Sequence, residues 1–159
     1  MFFEKNWAEM LKESPMDWLL EQSNPSVRCL TLRDLLDRDE ADAEVVAAKK
    51  AIPDSPIVAK IMAKQNPNGC WEEPARPYLP KYKSSYWQIM ILGQLGMDRN
   101  DNRITKACEY IFQFQHDEGG FSMYSPEQAM KEYETLRKKG KKLPPPDDWV
   151  TTTVYEHQY

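Results

Sequence analysis

Apolar residues recur along most of the chain at the three- and four-residue spacing of a helix, and the alternating pattern of a strand is nearly absent. Residues 26–36 and 84–96 are apolar around almost the whole helical circumference, which is typical of a buried helix. Residues 43–52 and 102–115 carry one apolar stripe and one polar face. The pattern therefore predicts an all-α chain in which buried and amphipathic helices alternate.

Residues that favour helix starts precede these segments. Asn24, Asp42 and Asp101 each stand immediately before a predicted helix, where a side-chain oxygen can accept a hydrogen bond from the first turn. Ser125-Pro126-Glu127-Gln128 has the pattern of a capping box with proline at the first helical position, and the helix that it opens is predicted to end at Gly140. The three prolines at 144–146 predict a stiff spacer after that helix.

Two short motifs, QNPNGCW at 65–71 and QHDEGGF at 115–121, share the order glutamine, three residues, glycine, one residue, aromatic ring. The second motif begins 50 residues after the first (115 − 65), and a recurrence of this length is typical of stacked helical repeats. The glutamine amide can pair with backbone groups left open at a helix end, and the glycine permits a turn with positive φ. The ring can then pack on the neighbouring helix.

These motifs and the helix alternation resemble the QW-motif repeats of squalene and oxidosqualene cyclases and, more loosely, protein prenyltransferase β subunits. The resemblance covers residues 25–121 and implies a partial α/α toroid of alternating inner and outer helices. It also implies that the motif residues fasten neighbouring helices. The implied fasteners are Gln65, Gly69, Trp71, Gln115, Gly119 and Phe121. Phe121 stands where the family has tryptophan, and the basic residue and glycine that open the family motif are missing. Gly-terminated helix hairpins of an unrelated bundle would fit the same pattern.

The repeat suggests how one domain, 1–159, is organised. We expect lead-in helices at 1–24, a first repeat unit at 25–71 and a second at 72–121. Residues 122–159 would hold an extra helix, the proline spacer and the start of a third unit.

The chain shows no complete catalytic motif. Asp37-Arg38-Asp39-Glu40 comes within one residue of the Asp-rich motif of the cyclases, but it follows a buried helix, where an acidic connection is the expected role. A prenyltransferase-like zinc site is not predicted, because no aspartate lies two residues before a cysteine and the two histidines, His116 and His157, lack ligand spacing. Catalytic residues are left unassigned, and neither a metal nor a cofactor is expected. The resemblance implies that, if the chain were an enzyme, it would be of the terpenoid cyclase or prenyltransferase kind.

In the family, ligands lie at the loops that lead into inner helices, which directs attention to the aromatic stretch before and within residues 84–96. The candidates for a ligand cavity are Tyr78, Lys81, Tyr82, Tyr86 and Trp87. Packing in the core is the other role open to Tyr86 and Trp87.

Composition and charge limit the kinds of ligand and partner that are expected for this chain. A formal net charge of -4 argues against nucleic-acid binding, and neither a secretory signal nor a membrane span is predicted, so a cytoplasmic location is expected. The resemblance implies an apolar or isoprenoid ligand for a divergent, non-catalytic module. Two further functions remain open. One is a helical scaffold that binds a protein partner or self-associates through an open repeat edge, and the other is a carbohydrate-active α/α toroid with Trp71, Glu72 and Glu73 at its site.

Overall fold

A computed structural model describes residues 13–116 and 119–156, with side chains through Val154, so that His157 lies outside the described residues. All regular elements in these ranges are helices, apart from one isolated antiparallel bridge between Gln115 and Phe121. The prediction of an all-α chain is confirmed for this part of the sequence. No helix within it has both the length and the apolar character needed to cross a membrane.

The chain divides into two compact units, Met1–Pro56 and Ile57–Tyr159. The first contains four helical elements in its described part. They are α1 (Met16–Leu19), α2 (Pro25–Leu30) with a π-helical continuation (Thr31–Leu35), α3 (Ala43–Ala51) and a 3-10 turn (Ile52–Asp54). The predicted caps are confirmed, because the side chain of Asn24 accepts a hydrogen bond from the amide of Val27 and that of Asp42 accepts one from the amide of Glu44.

Helices α2 and α3 pack against each other to form the core of the first unit. Arg28 joins them at the surface through an ion pair with Glu44, with Nη2 and Oε1 2.6 Å apart. The buried apolar side chains of this unit are Cys29, Leu32, Val45, Ala48 and Ile52.

The prediction that residues 26–36 are buried on all sides is wrong. Leu30, Leu35 and Leu36 are 40%, 42% and 36% exposed. Only one side of α2 meets α3, and the π-helical turn shifts the residues after Leu30 away from the register that a continuous α-helix would give.

The second unit contains the three longest helices of the described chain, together with shorter ones. They are α4 (Pro56–Met62, of which Pro56 closes the first unit), α5 (Ser85–Gln94), α6 (Asn102–Phe112), α7 (Pro126–Lys138), α8 (Pro146–Val150) and a π-helical turn (Thr151–Glu156). Asp101 caps α6 and Ser125 caps α7, as predicted. Helix α5 packs against α6, and α7 packs against α8.

Two apolar clusters form much of the second unit's core. One joins α5 and α6 to the first motif through Cys70, Tyr86, Tyr110 and Ile111. The other joins α7 to the π-helical turn through Tyr124, Ala129 and Val154. Helix α5 was predicted to be buried all round, but Met90 is 54% exposed, so one side of this helix is left uncovered.

Candidate functional site

The second unit contains an apolar cavity of about 400 Å³ along the uncovered side of α5. Its lining residues are Tyr78, Tyr86, Trp87, Ile89, Met90, Ile111 and Phe121. Pockets that bind small molecules commonly measure about 300–1,000 Å³ and are lined mainly by aromatic and aliphatic side chains. The cavity therefore has the size and surface of a small-molecule site.

Tyr86 forms one wall and links α5 to the segment after the second motif. It is 8% exposed, and its hydroxyl donates a hydrogen bond of 2.7 Å to the carbonyl of Ser122. Burial raises the pKa of the Tyr86 hydroxyl above its usual range, and the nearby Tyr110 raises it further. Tyr86 therefore stays neutral and remains a donor at physiological pH.

Trp87 and the loop before α5 form a second wall. The indole N–H of Trp87 donates to the carbonyl of Tyr78 at 3.0 Å, and the ring centroids of these two residues lie 5.4 Å apart. Because the indole nitrogen is paired with this carbonyl, the polar atom of Trp87 needs no partner from a ligand.

The remaining wall comes from α6 and the second motif. Ile111 is 9% exposed near the end of α6, and the ring of Phe121 meets that of Tyr86 edge-on, with centroids 6.1 Å apart. Phe112 lies beside Phe121, with centroids 6.4 Å apart, and is 58% exposed. This side of the cavity therefore has an apolar rim that reaches solvent.

Of the five cavity candidates from the sequence, Tyr78, Tyr86 and Trp87 line this cavity. Tyr82 instead lines a smaller cavity described below. The Lys81 ammonium lies over the Tyr78 ring, 5.9 Å from its centroid, outside the lining.

Sequence reasoning missed Ile89, Met90 and Ile111, and it assigned Phe121 only a structural role. The helical spacing of 86, 89 and 90 would have placed Ile89 and Met90 beside Tyr86 on one face of α5. Ile111 belongs to a different helix, so that only the tertiary fold brings it to the cavity.

The first motif forms a tight turn closed by three hydrogen bonds. The amide of Asn66 donates to the carbonyl of Cys70 at 2.8 Å, and that of Gly69 donates to Asn66 at 2.9 Å. The side-chain amide of Gln65 donates to the carbonyl of Gly69 at 3.1 Å. Gly69 has a φ of 92°, in the region that favours glycine.

The described residues of the second motif make the same three hydrogen bonds 50 positions later. The backbone amide of His116 donates to the carbonyl of Gly120, and that of Gly119 donates to the carbonyl of His116, both at 2.8 Å. The side-chain amide of Gln115 donates to the carbonyl of Gly119 at 3.4 Å. The φ of Gly119 is 97°. The described residues of the second motif therefore repeat the hydrogen bonds and the positive φ of the first motif.

The two glutamines differ in what they fasten. The side-chain amide of Gln65 also donates to the carbonyl of Arg103 in α6 at 3.0 Å, which ties its turn to a neighbouring helix. Among the described residues, the Gln115 side chain bonds only within its own turn.

The two rings differ as well. Trp71 is 1% exposed, and its indole N–H donates to the carbonyl of Ile61 in α4 at 2.9 Å. Its backbone amide bonds to the hydroxyl of Ser85 in α5, also at 2.9 Å. Phe121 is partly exposed and lies against the cavity instead. The first motif thus links α4 to α5, whereas the second contributes to the candidate site.

We expect Gln65→Ala to lower the free energy of unfolding by about 1–3 kcal/mol, because the carbonyls of Gly69 and Arg103 both lose their side-chain donor. Gln115→Ala, which removes one long and exposed bond, should cost less than about 1 kcal/mol. Urea denaturation followed by circular dichroism measures both. Equal losses for the two variants would contradict the assignment of an interhelical role to Gln65 alone.

In the part of the chain that the structure describes, no group of three or more His, Cys, Asp and Glu side chains is placed to hold a metal ion. The near-motif Asp37–Glu40 lies on the exposed surface of the first unit, where Arg38 pairs with Asp42 at 3.4 Å.

Comparison with known proteins does not identify a related protein. No family model, curated protein or solved structure gives a significant match to this chain.

Proposed function

We propose that this chain is a non-catalytic helical-repeat module, similar to those of squalene cyclases and prenyltransferases, that binds an isoprenoid or other apolar ligand in the cavity along α5. The observation that carries this proposal is the cavity itself, which has about 400 Å³ of space and an aromatic and aliphatic lining. Removing apolar ligand surface from water contributes roughly 25 cal/mol per Å². A ligand without charge would therefore gain most from this site.

Two polar groups of the cavity wall already have partners within the protein, which favours an apolar ligand. The hydroxyl of Tyr86 and the indole N–H of Trp87 both donate to backbone carbonyls of this unit. A charged group placed against these two side chains would lose hydration without gaining a hydrogen bond from either donor, which is unfavourable. The polar end of a ligand would instead lie at the solvent-facing rim near Met90.

The repeat interpretation rests on the two equivalent turns. In an α/α toroid, inner helices line the central cavity, outer helices surround them, and one turn of each repeat joins the two layers. Helix α5 would be an inner helix, since one side packs on α6 and the other faces the cavity. Helix α6 would be an outer helix, in keeping with its apolar stripe and polar face.

A carbohydrate site does not form part of the proposal. Sugar binding on an aromatic platform needs an accessible ring face, whereas Trp71 is 1% exposed.

The proposal predicts that Met90→Glu weakens the binding of farnesol, a neutral isoprenoid alcohol, about tenfold, because a hydrated carboxylate would replace an apolar side chain of the cavity lining. Met90 is 54% exposed in the free chain, so the substitution should leave the fold intact. Quenching of tryptophan fluorescence on titration with farnesol, with Trp87 in the cavity wall, measures the affinity.

Ile57→Glu is the matched control, since Ile57 is 49% exposed, belongs to the same unit and lies outside the cavity lining. This variant should bind farnesol as the unchanged chain does. The proposal fails if farnesol shows no saturable binding, or if both variants weaken it equally.

A second candidate function is the binding of an apolar side chain from a protein partner. The exposure of Met90 and Phe112, at 54% and 58%, favours it, because both residues stand at the rim where such a side chain would enter. If farnesol displaces such a protein partner from the chain, the two ligands bind at the same site.

A further inference from the structure

A second, smaller cavity of about 180 Å³ lies where the end of α4, the first motif and the start of α5 meet. Its lining is rich in cationic side chains and differs in chemistry from the cavity along α5. The lining residues are Lys60, Ile61, Lys64, Trp71, Glu72, Tyr82, Lys83 and Gln88. Its role is independent of the proposed function.

The cavity has an unbalanced positive charge. Lys60 comes from the last turn of α4, and Lys64 comes from the turn that follows this helix. Lys83 immediately precedes the cap of α5, and Glu72 is the one acidic residue of the lining. Among the described residues, none of these three ammonium groups lies within 4.0 Å of a carboxylate oxygen, Glu72 included. Three cations and one anion leave a formal charge of +2 at the cavity.

The backbone around the cavity is strained. Glu72 has a φ of 61° and Tyr82 a φ of 64°, in the left-handed region that residues with a side chain rarely adopt. Across the described part of the chain, Asp37 is the one other non-glycine residue with positive φ, so that two of three such residues line this one cavity. Strained residues of this kind concentrate at binding and catalytic sites, where the surrounding structure holds them in place.

Neighbouring contacts hold the strained residues and the cavity floor. The side-chain amide of Gln88 donates to the carbonyl of Tyr82 at 2.7 Å, and the Tyr82 ring lies 4.7 Å from that of Trp87, centroid to centroid. The Trp71 indole is held by the carbonyl of Ile61. Tyr82 is nevertheless 68% exposed, so its ring is available to a ligand at the cavity mouth.

We propose that this cavity binds a phosphate monoester of a small organic molecule that carries an aromatic or apolar group. The three lysines bind the phosphate, whose charge near −2 at neutral pH matches the +2 of the cavity. The organic group packs on the Tyr82 ring, and Glu72 accepts a hydrogen bond from a hydroxyl or amino group of the ligand.

Isothermal titration calorimetry of the full chain with phenyl phosphate tests the proposal. We expect saturable one-to-one binding that weakens as salt is added, together with weaker binding of inorganic phosphate, which lacks the ring. Lys64→Gln and Lys60→Gln, both at exposed positions that substitution should not unfold, should each weaken phenyl phosphate about tenfold.

Lys138→Gln is the matched control, because it removes the same charge from an exposed lysine of α7 outside this cavity. It should leave the affinity for phenyl phosphate unchanged. The site is overturned if phenyl phosphate shows no saturable binding at millimolar concentration, or if all three variants weaken it equally. Equal affinity for phenyl phosphate and inorganic phosphate would overturn the assignment of an organic ligand.

Discussion

Gly69→Ala should be among the most destabilising single substitutions in this chain, lowering the free energy of unfolding by about 2–5 kcal/mol. Two separate costs contribute. The φ of 92° at Gly69 lies where a residue with a Cβ is strained by about 1–2 kcal/mol. A Cβ built there would also lie 2.5 Å from the carbonyl oxygen of Lys106 and 2.8 Å from its carbonyl carbon. These atoms belong to the backbone of α6, so they cannot move without shifting the helix.

Gly119→Ala separates the two costs, since Gly119 has nearly the same φ, 97°, at the equivalent position of the second turn. A Cβ at Gly119 would meet no atom of the described residues within 4 Å. The free energy of unfolding of this variant should therefore fall only by the conformational cost, about 1–2 kcal/mol. Urea denaturation measures both variants, and equal losses would mean that the first turn does not pack against α6 as closely as described.

Trp71→Ala should have a comparable effect and lower the free energy of unfolding by about 3–5 kcal/mol. The side chain is 1% exposed, so its removal would leave a large cavity between α4 and the start of α5. Thermal denaturation followed by circular dichroism would report the loss as a lower melting temperature.

Two further variants show what the Trp71 ring contributes. Trp71→Phe keeps most of the packing but removes the hydrogen bond to the carbonyl of Ile61, and should cost about 1–2 kcal/mol plus a smaller packing loss. Phe121→Ala, at the equivalent position of the second motif, should cost less than about 2 kcal/mol because its ring is partly exposed. A loss at Phe121 as large as that at Trp71 would contradict the different roles assigned to the two rings.

The sequence was sufficient to predict those features of the fold that a local rule determines. Asn24, Asp42, Asp101 and Ser125 cap the helices that follow them, because a cap needs only a short polar side chain at the right position. The recurrence of glutamine, glycine and an aromatic ring likewise marked two turns with the same hydrogen bonds. Helix ends were less accurate, since α6 ends at Phe112, three residues before the predicted end at Gln115.

The sequence was misleading where an apolar helix lacks a covering partner. Residues 26–36 and 84–96 look buried because their apolar side chains surround the helix, yet Leu30 and Met90 are 40% and 54% exposed. Periodicity reports which side chains are apolar, and only the tertiary fold determines whether another element covers them.

The cavity along α5 was predictable in part. Tyr78, Tyr86 and Trp87 were identified because they cluster before and within one helix. Ile111 and Phe121 come from a different helix and a turn, and no local pattern distinguishes them from ordinary core residues. The lysine-lined cavity was missed for a similar reason, since Lys64 and Lys83 are 19 positions apart in the sequence (83 − 64).

The central claim is that the cavity along α5 holds an apolar ligand, and intermolecular nuclear Overhauser effects between farnesol and the methyl groups of the full chain test it most directly. The account predicts effects to the methyl groups of Ile89, Met90 and Ile111, and none to those of Ile57 and Val46, which are exposed outside the cavity. Effects that appear at Ile57 and Val46 but not at Ile89 and Ile111 would contradict it.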